Sequence, residues 1–539
     1  SENQDPTAKE YIVRASARIC TAMGDSFLPY LQYIIPPLIE SAGKEIQITI
    51  EDAPLDSYGM GEADENENAP GMEMLDMHVR GLGGKRIGFN TWAAQEKELA
   101  CNVLYTYADG FGESFLPYVP QTAEVLLREV MSPMYTVRVA ATCALPRLMS
   151  SVNLGLKKDP SLLPMAQELF INILKQLLAV LEFDDEDEVD VEEEEDEENE
   201  EVLLIVAECV AAVLRTAFES GGLTDSNVDV MLANDYNNGQ KLPRYGVQLQ
   251  EVGNVLGEIV KRMQIRVHKR MVARRNLQML GNEVDVQMLE NLEEGDKRTN
   301  EFMDSLSEGI GCIIKAHGGN ILSQFTQVCQ PFADSLLSME ETAPPLKAVG
   351  LFFYDDMIEY GGTGAQVFVD KAVPFMLKYA DHENYLLRQA SCYGLGVCAE
   401  HGGPSFDKYT QPVLAKLLEV IKAPDSRKGT NGSATDNAIS AVYKLCVYRH
   451  GAVQKQVLGE LLSLLPIDSD RLEAKIVHYR LMQHLLQNDA FSQEFGDKMR
   501  AVLQKAAISQ KGLNQTKGKY DEDEAILSEH TRRYVSSIQ

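Results

Sequence analysis

One short string constrains how this chain can fold more than any other feature. Gly24-Asp25-Ser26-Phe27-Leu28-Pro29-Tyr30 recurs as Gly112-Glu113-Ser114-Phe115-Leu116-Pro117-Tyr118, 88 residues later, and a looser copy runs from Gly403 to Tyr409. A second signature lies between these strings. Val137-Arg138-x-Ala140-Ala141-x-x-Ala144-Leu145 superimposes on Leu387-Arg388-x-Ala390-Ser391-x-x-Gly394-Leu395. The same register puts Lys97, Lys347 and Lys475 at the basic position. Lys97 to Arg138 and Lys347 to Arg388 are both 41 residues apart, and 88 residues is two periods of 44.

A period of roughly 40–47 residues built from paired helices is the signature of HEAT and armadillo repeats. One helix pair cannot bury its own apolar face, and Ala and Gly at the contact positions let successive pairs approach. Apolar residues fall at i, i+3, i+4 and i+7 spacing in 92–108, 136–150, 344–359 and 385–399, among other segments, with short Gly, Pro, Asp and Ser clusters between them. No sustained strand alternation is visible. The expected fold is all-α, a right-handed α-α superhelix of HEAT repeats running as one solenoid over 1–539, with roughly ten helix pairs. Three insertions interrupt it: a polar, Gly-rich loop at 43–90, an acidic loop at 184–201, and an extended repeat at 226–301 containing a basic helix.

Charge narrows the functions. Lys plus Arg is 50 against 81 Asp plus Glu, a formal charge of −31. Such a chain repels phosphate backbones, so no direct nucleic-acid contact is expected and basic proteins are the natural partners. The nine cysteines are scattered singly, which suits a reducing compartment. No signal-peptide pattern and no membrane-spanning apolar window is seen, so membrane insertion is not expected. The nine histidines show neither H-E-x-x-H nor another metal-ligand spacing, and no G-x-S-x-G elbow is present. Gly81-Leu82-Gly83-Gly84-Lys85 lacks the spacing of a phosphate loop and reads as an inter-helix loop. His478 falls at a core position, and His401 in a turn. The chain is read as a non-enzyme without cofactor or metal.

Several ordered motifs together resemble the importin-β (karyopherin-β) family, in particular its importin-five branch. They are Leu387-Arg388-Gln389-Ala390 through Tyr393-Gly394-Leu395-Gly396-Val397 with His401-Gly402-Gly403, Asp355 to Glu359, Ala434 to Val442, and Glu96-Lys97 to Ala100-Cys101. The resemblance spans most of the chain and is weakest over 184–301. It implies the C-terminal half of a receptor about twice this length, lacking an N-terminal arch and a main Ran-GTP contact region. It also implies a nuclear import receptor that shuttles between cytoplasm and nucleus. Such a receptor binds Lys-rich nuclear localisation signals on cargo and phenylalanine-glycine nucleoporins in apolar grooves, and releases cargo to Ran-GTP. The rival reading is a HEAT scaffold that assembles a phosphatase or coat/adaptor complex.

The register nominates the residues. On the second helix of each pair, positions 8 and 12 after the basic residue lie roughly opposite the core. They carry Tyr105 and Asp109, Asp355 and Glu359, and, one repeat on, Glu400. These five are the candidate cargo-binding residues, and Asp355, Glu359 and Glu400 among them form an acidic stripe whose reversal to Lys should cost little stability. In the acidic loop 15 of 18 positions are Asp or Glu. Asp184, Asp185, Glu186, Asp187, Glu188, Glu192, Glu193, Glu194 and Glu195 form a partner-binding arm, or else a solvated spacer. Arg262, Arg266, Lys269 and Arg270 share one face of the basic helix. That face suits Ran, an intramolecular acidic partner, or solvent.

Overall fold

The repeated string is a device for starting a helix pair. Gly24, Gly112 and Gly403 adopt φ of +53°, +47° and +56°, a region where a Cβ is penalised. Each opens a 3-10 helix, at Gly24–Tyr30, Gly112–Tyr118 and Gly403–Tyr409. That turn drives Phe27, Phe115 or Phe406 into the core. Burying one such ring is worth about 1.5–3 kcal/mol. The chain then runs directly into the first helix of the pair.

The second signature builds the partner helix. Val137, Ala140, Ala141, Ala144 and Leu145 are buried on one helix, and Leu387, Ala390, Ser391, Gly394 and Leu395 on its equivalent. The basic residue stitches the turn between the two helices. Arg138 Nη1 donates to the carbonyls of Ser132 and Pro133, at 3.1 and 3.2 Å. Arg388 Nη1 repeats the geometry on His382 and Glu383. Both satisfy carbonyls that the end of a helix leaves without partners. Lys97 instead forms a buried pair with Glu129 at 2.6 Å.

The computed structural model describes residues 15–20, 22–46, 48–52, 72–79, 83–182, 197–221, 243–281, 284–449, 451, 453, 455–517 and 525–538. It divides into two compact units, Ser1–Ala217 and Phe218–Gln539, where the sequence suggested a single array. The division falls beside 226–301, where the repeat period is lost.

The first unit contains helices α1 (Leu31–Gly43), α2 (Thr91–Phe111), α3 (Val119–Glu129), α4 (Tyr135–Leu156) and α5 (Leu163–Val180), with most of α6 (Glu197–Glu219). It also holds an element that the sequence reading missed. Strands β1 (Ile48–Asp52), β2 (Met72–Val79) and β3 (Gly83–Asn90) pair antiparallel in the order β1-β3-β2, with Ile50 opposite Ile87 and Leu75 opposite Ile87. The expected polar loop at 43–90 is therefore corrected to a sheet. Gly83, Gly84 and Lys85 lie in its central strand, not in an inter-helix loop. Asn90 ends β3 and caps α2, accepting from the Ala93 N–H at 3.0 Å.

In the second unit, α7 (Val252–Leu280) and α8 (Val286–His317) are followed by α9 (Gln330–Ser338), α10 (Pro344–Tyr360), α11 (Val369–Tyr379), α12 (Tyr385–His401), α13 (Thr410–Lys422) and α14 (Asn431–Tyr448). A short helix at Lys455–Leu461 precedes α15 (Arg471–Gln487), α16 (Ala490–Lys517) and α17 (Glu529–Ile538). Helices α9 and α10, α11 and α12, and α13 and α14 pack as pairs. Apart from the inserted sheet, regular structure among the described residues is helical, and the fold class is all-α, of the HEAT-repeat kind. No described helix is long and apolar enough to cross a membrane.

Candidate functional site

The second helices of the second unit, α8, α10, α12, α14 and α15, contact one another in series. Glycines allow the close approach. A Cβ on Gly396 of α12 would lie 3.2 Å from the Ala441 Cα of α14. A Cβ on Gly394 would lie 2.3 Å from Asp355 Oδ1. Position 8 of the register therefore points along the row, at the neighbouring second helix, and this corrects the acidic stripe. Asp355 is only 2% exposed, and neither carboxylate oxygen has a hydrogen-bond partner among the described residues. Burial, reinforced by the charges of Asp356 and Glu359 and opposed by Lys444, pushes its carboxyl well above the usual range.

The other two acids of the stripe are already engaged. Glu359 is half-buried and accepts from the Tyr393 hydroxyl at 2.9 Å. Glu400 forms a bidentate pair with Arg480 of α15, Nη1 to Oε2 at 3.0 Å and Nη2 to Oε1 at 2.7 Å. Burial alone would raise the Glu400 carboxyl. The charges of Arg480 and Lys444, with the Arg480 hydrogen bonds, outweigh it and hold the carboxyl down at about 2. Glu400 is a structural clamp, and its reversal is not the cheap surface change the register implied.

In the first unit, Tyr105 and Asp109 are brought together on α2 by Arg147 of α4. Arg147 Nη2 donates to the Tyr105 hydroxyl at 3.4 Å, Nη1 lies 3.3 Å from Asp109 Oδ1, and the guanidinium stands 5.5 Å from the Tyr105 ring centre. Asp109 is exposed. The acidic-arm residues Asp184 to Glu188 and Glu192 to Glu195 lie outside the described residues. The end of that tract is not loop, because Glu197 to Glu201 form the first turns of α6, where carboxylates suit the helix dipole.

The basic face of α7 points inward. Arg262, Arg266 and Arg270 are all buried and Lys269 is half-buried. Arg270 Nε lies 3.1 Å from Asp296 Oδ1 of α8, and its Nη2 donates to the Leu292 carbonyl at 2.7 Å. Arg266 stands over the Phe302 ring at 5.7 Å. Arg262 pairs with Glu258 at 3.2 Å. These three arginines make contacts within the chain. Arg266 and Arg270 reach across to α8, whereas Arg262 pairs within α7.

No family model matches the chain. Importin subunit beta-3 of Saccharomyces cerevisiae is 23% identical over 496 residues, covering 90% of this chain and 39% of the relative. A probable importin-5 homolog of Dictyostelium discoideum is 22% identical over 502 residues, covering 88% and 39%. A crystal structure of Kap121p bound to RanGTP superposes with a TM-score of 0.67 at 16% identity, over 100% of this chain and 42% of that one. Kap121p bound to Ste12p gives 0.64 at 18% identity, over 92% and 40%. Along about nine tenths of its length the chain is similar to importins of the beta-3 and importin-5 kind. It spans about two fifths of the length of these relatives.

The polar residues quoted above serve mainly to lock repeats together. Asp436 of the Ala434–Val442 motif is buried, and its Oδ2 accepts the backbone N–H groups of Asp468, Ser469 and Asp470 at 3.0, 2.7 and 3.1 Å. Asp470 in turn caps α15 and accepts from Asn437 at 2.8 Å and Gln389 at 3.2 Å. His484 lies between Asp489 and the Tyr443 hydroxyl, in the manner of a catalytic relay. Tyr443 is buried, so the arrangement ties α14 to α15. His478 is interior, as its register predicted. Its Nδ1 lies 2.8 Å from the Ile526 carbonyl, and burial lowers it to about 4.

Among the described residues, two openings stand out that sequence reasoning did not find. One, of about 250 Å3, lies between α8, α10 and α12 with Asp355 on its lining, and Asp304 and Glu308 come to it from α8. Their i, i+4 spacing was a visible signal, obscured because the register is lost before α8. The other, of about 400 Å3, is a mainly apolar groove between α3 and α5 lined by Val119, Ala123, Leu127, Met165 and Leu169.

Proposed function

We propose that this chain is part of a nuclear transport receptor that shuttles between cytoplasm and nucleus. In this reading it binds Lys-rich nuclear localisation signals of cargo proteins, interacts with phenylalanine-glycine nucleoporins and releases cargo to Ran-GTP. The observation that carries the reading is the match to importins along nine tenths of the chain. Kap121p, the structural neighbour, has been crystallised with RanGTP, Ste12p, Pho4p and Nup53p. The charge of −31 favours basic cargo. Tyr105 and the exposed Asp109 are the surface offered to it. The groove between α3 and α5 has the apolar lining that a phenylalanine ring needs. The acidic segment 184–195 adds long-range attraction for the same cargo.

The test is capture from nuclear extract on the immobilised chain, with and without Ran-GTP. A receptor retains basic proteins and loses them when Ran-GTP is added. Partners retained equally under both conditions would identify a scaffold instead.

A further inference from the structure

Helices α4 and α6 lie side by side, tied near both ends. The Tyr135 hydroxyl donates to Glu201 at the first, and Asn153 Nδ2 donates to the Thr216 carbonyl at 3.3 Å at the second. Between these ties sit two free thiols, Cys143 on α4 and Cys209 on α6, which are 66 positions apart in the chain. The Cys209 proton is shared between the Thr142 carbonyl, 3.5 Å from its Sγ, and the sulfur of the next residue, Cys143. A disulfide requires the two sulfurs to close from that contact to ~2.05 Å.

The two thiols differ in the way a redox pair needs. Cys143 is half-buried, with the exposed Arg147 one turn further along α4, whereas Cys209 is buried. The hydrogen bond from Cys209 lowers the Cys143 thiol, helped by the charge of Arg147 and opposed by burial and Glu208. The same bond, together with burial, raises Cys209 well above the usual thiol range. Thiolate character therefore gathers on the sulfur that a small oxidant can reach. Among the described residues no third His, Cys, Asp or Glu is gathered with them closely enough to hold a metal ion.

We propose that Cys143 and Cys209 are an oxidant-sensitive dithiol that closes to a disulfide between α4 and α6 when hydrogen peroxide reaches Cys143. The Cys143 thiolate attacks the peroxide, so that an S–O bond forms as the O–O bond breaks. The leaving hydroxide takes the proton that Cys143 gave up and departs as water. The Cys209 sulfur then attacks the sulfenic sulfur, the S–S bond forms as the S–O bond breaks, and the displaced hydroxyl leaves as water with the Cys209 proton. Two thiols and one peroxide become one disulfide and two waters, the sulfurs losing the two electrons that the peroxide gains. In a reducing compartment such a bond is transient. While it lasts it pins α4 to α6 between their two ties, and it closes the intervening chain, with α5 and the acidic segment, into a covalent loop.

The experiment treats the whole folded chain with graded hydrogen peroxide, blocks the remaining thiols with iodoacetamide and maps the peptides by mass spectrometry. Wild type is compared with Cys143→Ser and Cys209→Ser. The first disulfide expected in wild type is a Cys143–Cys209 linked peptide, which dithiothreitol removes. The unfolding midpoint of the oxidised chain should stand above that of the reduced chain by roughly 5 °C, because the loop restricts the unfolded state. In Cys209→Ser the resolving thiol is gone, so dimedone should trap Cys143 as sulfenic acid roughly 10-fold more than in wild type. In Cys143→Ser, Cys209 should stay reduced at peroxide levels that close the wild-type bond. The proposal is overturned if wild-type Cys143 accumulates as sulfenic or sulfinic acid with no linked peptide. It is equally overturned if the link forms only in urea, or if another pair of cysteines links first. The wild-type map decides the matter even where a serine variant fails to fold.

Discussion

Glu400 and Asp355 sit on neighbouring second helices, yet one is clamped by Arg480 and the other has no partner. The difference has a measurable pH signature. Glu400 is held at about 2 when folded, below the roughly 4.3 of an unfolded glutamate. Its contribution is therefore complete above about pH 4.3 and is lost as the pH falls towards 2. We predict that Glu400→Ala costs about 3 kcal/mol near neutrality, the low end for breaking a buried pair. The difference from wild type should narrow below about pH 4 in urea titrations. His478, held at about 4, favours folding only while neutral. Its contribution is lost as the pH falls from about 6.5, its unfolded value, towards 4. A second residue-scale prediction concerns Cys143, which is half-buried whereas the other eight cysteines are buried. A hydrogen bond from Cys209 lowers its thiol, and the thiolate is the nucleophile. Peptide mapping after brief iodoacetamide treatment of the native protein should find Cys143 labelled first, and faster labelling elsewhere would contradict this.

At the scale of elements, glycine and alanine decide how close the second helices come, and Gly394 gives the sharpest test. A Cβ there would lie 2.3 Å from Asp355 Oδ1 and 2.5 Å from Met376 Cε. Gly394→Ala should cost about 1–3 kcal/mol as an overpacked site, read from the unfolding midpoint. The repeat strings were legible because each demands a glycine at positive φ and a buried phenylalanine. The sheet was not legible, because glycines and charges in Gly83–Asn90 break the alternation that marks a strand. The acidic stripe failed for a related reason. Periodicity tells which face of a helix meets its own pair, but not how tightly the next repeat closes over the opposite face. Nor could it show that Arg480, 80 residues from Glu400, would neutralise that carboxylate. The acidic tract needs a similar revision, because Glu200 is buried at the start of α6 and Glu201 accepts from the Tyr135 hydroxyl. Deleting 184–196 should leave the melting temperature unchanged, whereas extending the deletion through Glu201 should lower it.

For the whole molecule the dominant quantity is its charge of −31, and removing the eleven carboxylates of 184–196 takes it to −20. A field of this kind acts on approaching partners over a screening length of about 8 Å at physiological salt. Long-range attraction governs association, while desolvated contacts govern dissociation. For a Lys-rich peptide we therefore expect the association rate to fall steeply as NaCl is raised, and the dissociation rate to change little. Deleting 184–196 should slow association at low salt and leave dissociation alone. Stopped-flow mixing of a labelled peptide with the wild type and the deletion across a salt series measures both rates. If the deletion speeds dissociation as much as it slows association, the tract is a contact surface and not a source of long-range attraction.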